Sequence, residues 1–145
     1  MSWLPKQNVI VPVDFSDESF AAVQMARDSF VEQASALHVI YVLPPLVPTE
    51  PGVIWQTVDD NSRSRHAIKA LQDKLHDAKY QGIQLHVAFG DPGQQIAEYA
   101  AKFKADLIIM PSHGRTGLSR ILLGSVADRV LRLAHCPVLV LRGKS

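Results

Sequence analysis

Cysteine is nearly absent from this sequence. Cys136 stands alone, which excludes an internal disulfide framework and fits a reducing compartment. Excess charge is missing too. Fifteen Lys and Arg against 14 Asp and Glu give no bulk field for nucleic acid or a membrane surface. No apolar run approaches the roughly 20 residues of a membrane span, and the opening MSWLPKQN has no apolar signal core. Sharp catalytic signatures are also lacking. There is no G-x-x-x-x-G-K-[ST], no G-x-G-x-x-G after the first strand, no G-x-S-x-G and no H-E-x-x-H. His38, His66, His76, His86, His113 and His135 never fall at metal-binding spacing on one predicted helix. The expectation is a soluble, cytoplasmic, single domain over residues 1–145.

What the chain does have is apolar runs that alternate with helical patterns. Asn8 to Val13 reads as a buried strand, because Val9, Ile10, Val11 and Val13 are β-branched and nearly continuous. Ser16 is placed to cap a helix carrying Phe20, Val23, Ala26 and Phe30. A second strand covers Ala36 to Leu43, and the proline-rich segment 44–58 reads as a surface loop or lid. Asp59 to Gln81 has helical periodicity, with Gly82 as its C-terminal cap. Gln84 to Phe89 is the third strand, Gly90-Asp91-Pro92-Gly93 a turn, and Ile96 to Phe103 a short helix. Ala105 to Met110, Ser125 to Leu133 and Pro137 to Leu141 then read as strand, helix and strand. This order predicts an α/β fold with a parallel sheet, right-handed crossovers and helices on both faces.

Ligands in such a sheet collect beyond the carboxyl ends of the strands, where the strand order reverses. Asp14 and the glycine-containing segment 111–125 both follow strand ends, and they converge if strands one and four are neighbours. Ser125 and Asp128 have the spacing of a capping box, with Asp in place of Glu or Gln. The same helix start, beside Gly124, also suits a phosphate, since free amides and the positive dipole end face it. Gly114 adds a second position without a side chain. Asp14 has two readings: turn chemistry, or a ribose hydroxyl or nucleotide-borne Mg²⁺. Arg115, Arg120 and His113 are candidate phosphate contacts or solvated loop residues. His38 and His86 meet if strands two and three are adjacent, and two polar residues near the sheet surface are the simpler reading. Cys136, ahead of Pro137, reads as a small buried thiol rather than a nucleophile.

V-P-V-D-F-S, L-H-V-I, G-D-P and the closing I-M-P-S-H-G-R-T-G…L-L-G-S-V-A-D-R-V…C-P-V-L-V-L together resemble the nucleotide-binding branch of the universal stress protein family, over nearly the whole chain. That branch's G-x2-G-x9-G-[ST] pattern falls on Pro111, Gly114 and Gly124-Ser125, so Pro111 stands where the first glycine belongs. The resemblance implies a five-stranded parallel sheet in order 3-2-1-4-5, Rossmann-like and of the adenine nucleotide alpha hydrolase-like type. It implies adenine and ribose contacts from Pro12, Val13, Asp14 and Val39. Gly114, Gly124, Ser125 and Val126 would surround the phosphates of ATP, or of AMP or ADP, with Mg²⁺ carried by the nucleotide, and Met110, Pro111, His113 and Arg115 complete the expected nucleotide-binding set. It also implies a homodimer through the last strand, Pro137–Arg142. The function expected is ATP binding as a regulatory or sensing ligand in stress response. The alternatives are a slow ATP hydrolase assisted by His113 or Asp14, and a nucleotide-free dimeric interaction module displaying Leu118, Ile121, Leu122 and Leu123. Proline lacks an amide hydrogen, so Pro111 is expected to weaken nucleotide binding.

Overall fold

The computed structural model describes residues 3–45, 59–112 and 123–142. Five strands, β1 (Val9–Val13), β2 (Leu37–Leu43), β3 (Gln84–Phe89), β4 (Leu107–Pro111) and β5 (Val138–Leu141), form one sheet. Its order is β3-β2-β1-β4-β5, and every neighbouring pair is parallel. Alternation along the strands divides the core between two faces. Val9, Val11, Leu37, Val39, Leu107 and Ile109 pack beneath α1 (Asp17–Met25) and α2 (Asp60–Lys74). Ile10, Ile40, Ala88, Ile108 and Met110 pack beneath α3 (Pro92–Lys102) and α4 (Ser125–Leu133). Strands covered on both sides need no polar alternation, which is why β1 reads as continuous apolar sequence.

Ser16 caps α1 as its position suggests, accepting the Ser19 amide at 3.1 Å. The second helix is shorter than its periodicity. It ends at Lys74, where the His76 ring takes the Asp73 carbonyl at 2.7 Å, so a side chain competes for the backbone. A 3-10 turn, Ala78–Tyr80, follows under an Asp77 cap. Gly82, at φ +98°, therefore turns the chain into β3 rather than closing a helix. The third helix starts earlier than the turn signal implies. Asp91 accepts the Gln94 amide at 2.9 Å, and Pro92 occupies the first helical position, where its missing donor costs nothing.

Candidate functional site

The reversal of strand order lies between β1 and β4, so the crevice opens where Asp14 and Pro111 end their strands. The β1–β4 ladder pairs only Val9 with Leu107 and Ile10 with Ile108, whereas β1 pairs with β2 along its whole length. Beyond Ile10 and Ile108 each strand carries a proline, Pro12 or Pro111, and each proline removes a ladder donor. Loss of pairing at that level parts the strands at their carboxyl ends.

Pro12 and Val13 are buried and form the floor beneath Asp14. The half-buried Asp14 carboxylate accepts the Ser16 amide through Oδ1 at 3.0 Å, and the Asp14 amide reaches Ser19 Oγ at 3.4 Å. Turn chemistry thus occupies one carboxylate oxygen and leaves Oδ2 with no partner among the described residues. Phe15 adopts φ +65°. Its ring meets those of Phe20 and Tyr41 edge-on at 5.6 and 4.9 Å, which closes the α1 side of the crevice. Val39 is not gathered with these residues at the strand ends. It is wholly buried mid-sheet, level with Val11 and Leu85, and β2 runs on to Leu43.

Across the crevice, Met110 is buried and Pro111 is half-buried beside Leu141. Ser112 donates its amide to Leu141 O at 2.8 Å and accepts the Gly124 amide at 2.7 Å. Ser112 and Gly124 are therefore held together. His113, Gly114 and Arg115, with Arg120 and residues 46–58, lie outside the described residues.

Gly124, not Ser125, is the N-cap of α4, and Ser125 is its first helical residue. The capping-box expectation fails because Ser125 is not the cap, and Asp128 instead pairs with Arg132 at 3.0 Å. Side chains of Ser16, Asp59 and Asp91 cap α1, α2 and α3. Gly124 has no side chain, so the first-turn amides of Ser125, Val126 and Ala127 receive no cap from it. The Gly124 amide itself is spent on Ser112. What remains is three amides and the positive end of the helix dipole, with exposed Ser125 and half-buried Val126 at its mouth.

Sequence reasoning missed the neighbouring wall. A concavity of about 660 Å³ runs between the starts of α3 and α4, lined in part by Asp91, Gly93, Ser125, Arg129 and Arg132. Arg129 is held by Asp91 at 3.1 Å. The signal was present in Gly90-Asp91-Pro92-Gly93, but those residues serve equally in a turn and in a helix start. Among the described residues no group of three His, Cys, Asp or Glu could hold a metal ion, and no helix is long and apolar enough to cross a membrane. Burial, then the nearby Asp106 charge, pushes the Cys136 thiol above its ordinary range, a poor setting for a nucleophile.

Comparison with known proteins agrees with this fold. Universal stress protein MJ0531 of Methanocaldococcus jannaschii is 37% identical over 142 residues, covering 94% of this chain and 82% of that protein. The solved structure of the protein MJ0577 superposes with a TM-score of 0.75 at 25% identity, over 98% of this chain and 99% of the other. A universal stress protein in complex with cAMP superposes with a TM-score of 0.64 at 26% identity, over 96% and 98% of the two chains. The model of the universal stress protein family matches residues 6–142, and the chain belongs to that family.

Proposed function

We propose that this protein binds ATP in the crevice between β1 and β4 and uses its occupancy as a regulatory signal in stress response. The observation that carries the reading is the uncapped start of α4 at the reversal of strand order. Amides without partners and a positive dipole end favour a phosphate there. The cAMP held by a relative of the same fold supports a nucleotide as the anion. Asp14, with Oδ2 unengaged, suits a ribose hydroxyl or a Mg²⁺ arriving with the nucleotide. Among the described residues the donor set is one carboxylate oxygen, which fits an ion held mainly by phosphates and water. Its chemistry when bound is to neutralise phosphate charge.

Signalling requires that the nucleotide prefer one conformation over another. Every residue of β5 is half-exposed along an edge strand of the sheet. An apolar edge invites pairing, which favours a homodimer through Pro137–Arg142 in a cytoplasmic protein.

The decisive measurement is whether purified protein carries a nucleotide, read by denaturing it and analysing the supernatant. Calorimetry with added ATP and Mg²⁺ complements it, with a dissociation constant in about the micromolar range expected. No nucleotide in the supernatant and no heat at millimolar ATP would overturn the reading.

A further inference from the structure

His38 on β2 and His86 on β3 form an in-line imidazole pair. His38 Nδ1 lies 3.0 Å from His86 Nε2. The ring centroids are 5.2 Å apart with only 14° between the planes. Those values describe two nearly coplanar rings meeting edge to edge, with their nitrogens aimed at one another. Such a contact holds one proton: with none, two lone pairs collide, and with two, the N–H groups collide. The tautomers follow from the far end. His38 Nε2 lies 3.3 Å from Asn8 Oδ1, an acceptor, so Nε2 of His38 carries hydrogen and Nδ1 accepts from His86 Nε2. The Asn8 backbone N–H donates in turn to Asp106 Oδ1 at 3.0 Å.

His38 is buried, only 2% exposed, and His86 is half-buried. The Phe103 ring covers both imidazoles, at 4.8 Å from His38 and 4.6 Å from His86, and Tyr99 meets His86 at 5.8 Å. The charged and titratable groups facing the pair are Lys102 and Tyr99 from α3, with Asn8 from the lead into β1. Asp106 stands behind Asn8, and Gln84 on β3 is neutral. Lys102 acts on His86 as a like charge. No carboxylate among the described residues offsets a charge on either ring.

We propose that the His38–His86 pair is an acid-operated latch that fastens edge strand β3 and helix α3 to the sheet and releases them when it takes a second proton. Among the described residues β3 has β2 as its one neighbouring strand, so the corner depends on this seam and on Phe103 above it. Burial, then the His38 and Lys102 charges, pushes His86 down to about 4, and burial lowers His38 as well. Above the ordinary imidazole value of 6.5 the latch is fully closed. As pH falls from there toward about 4, the open state takes up protons that the closed pair refuses, and closure is progressively lost. Below that range the closed pair protonates too and no further loss accrues. The pair packs on the last turn of α3 through Tyr99 and Phe103, whereas the groove beside α4 is lined by the first turn. The geometry stands whether or not a nucleotide binds there.

The test is amide hydrogen exchange on the intact chain at pH 7 and pH 5, corrected for intrinsic exchange. Protection of β3 and α3 amides should fall by at least about tenfold relative to β1 amides. His86→Gln keeps a donor toward His38 without a titrating ring and should remove most of that fall. A fall of equal size in the variant would overturn the proposal. Ring nitrogen chemical shifts of the unmodified protein give a second measure that needs no substitution. One shared proton persisting well below pH 6.5 supports the latch, and both rings titrating at the ordinary histidine value would sink it.

Discussion

Gly93 and Arg129 leave no room for one more carbon between α3 and α4: a Cβ on Gly93 would lie 2.6 Å from Arg129 Cβ. Asp91, two residues earlier, holds the Arg129 guanidinium at 3.1 Å, so the two helix starts are fixed by contact and by charge together. The helix carrying the free amides therefore cannot shift without moving α3.

Gly93→Ala is expected to lower stability by about 1–3 kcal/mol, as overpacking does. Alanine in an unobstructed helix would instead raise it by about 0.4–1 kcal/mol. The sign of the change in a urea midpoint thus separates the two cases. A gain would show that the helices give way freely.

Lys104 makes the opposite case. It sits past the end of α3 at φ +54°. Its amide bonds Ala101 O at 3.2 Å while Ala105 bonds Ala100 O at 2.8 Å, a Schellman closure with lysine at the place that favours glycine. Lys104 is exposed, so its side chain contributes little there. Lys104→Gly should raise stability by about 1 kcal/mol by removing the left-handed penalty. Equilibrium denaturation with an unchanged slope would verify it, and a loss would refute it.

These positions show what the sequence could and could not disclose. The strands were legible because a sheet covered on both faces demands unbroken β-branched runs, as in β1. The order 3-2-1-4-5 came from the family resemblance, since periodicity says nothing about which strands touch. The end of α2 was hidden because His76 competes for a carbonyl that any helix pattern assigns to the backbone. The end of α3 gave no signal because lysine stands where glycine would have announced it. At the site, Asp14 and the start of α4 were legible as strand-end and helix-start chemistry. The loss of the Gly124 amide to Ser112 was not, because it is a contact between residues far apart in sequence. The meeting of His38 and His86 needed only the adjacency of β2 and β3, yet its burial under Phe103 required the packed helix.

Pro111 is the test of the crevice's other rim. It ends β4 level with Leu141 and offers no amide to a ligand. Pro111→Gly restores that donor and should tighten ATP binding by about three- to tenfold, the worth of one hydrogen bond. The flexible residue also costs the folded state about 0.4–1 kcal/mol through the unfolded chain. Calorimetry beside a denaturation curve should therefore find affinity rising as stability falls. Unchanged affinity would mean that this position does not face the nucleotide.

Gly124→Asp separates the phosphate reading of α4 from a merely structural one. The backbone at Gly124, φ −64° and ψ 158°, is ordinary for any residue, so strain does not enter. A carboxylate at the N-cap accepts a first-turn amide and complements the dipole, worth about 0.3–1 kcal/mol. It also occupies the donors a phosphate would need and repels the phosphate's charge. The melting temperature should rise slightly while ATP affinity falls by at least about tenfold, or about 1.4 kcal/mol. Gly124→Ser, a cap without the charge, should fall between the variant and the original in affinity. A stable Asp variant that still binds ATP as the original does would remove the start of α4 from the site. Joint loss of stability and binding would show that the closure between Gly124 and Ser112 had been broken instead.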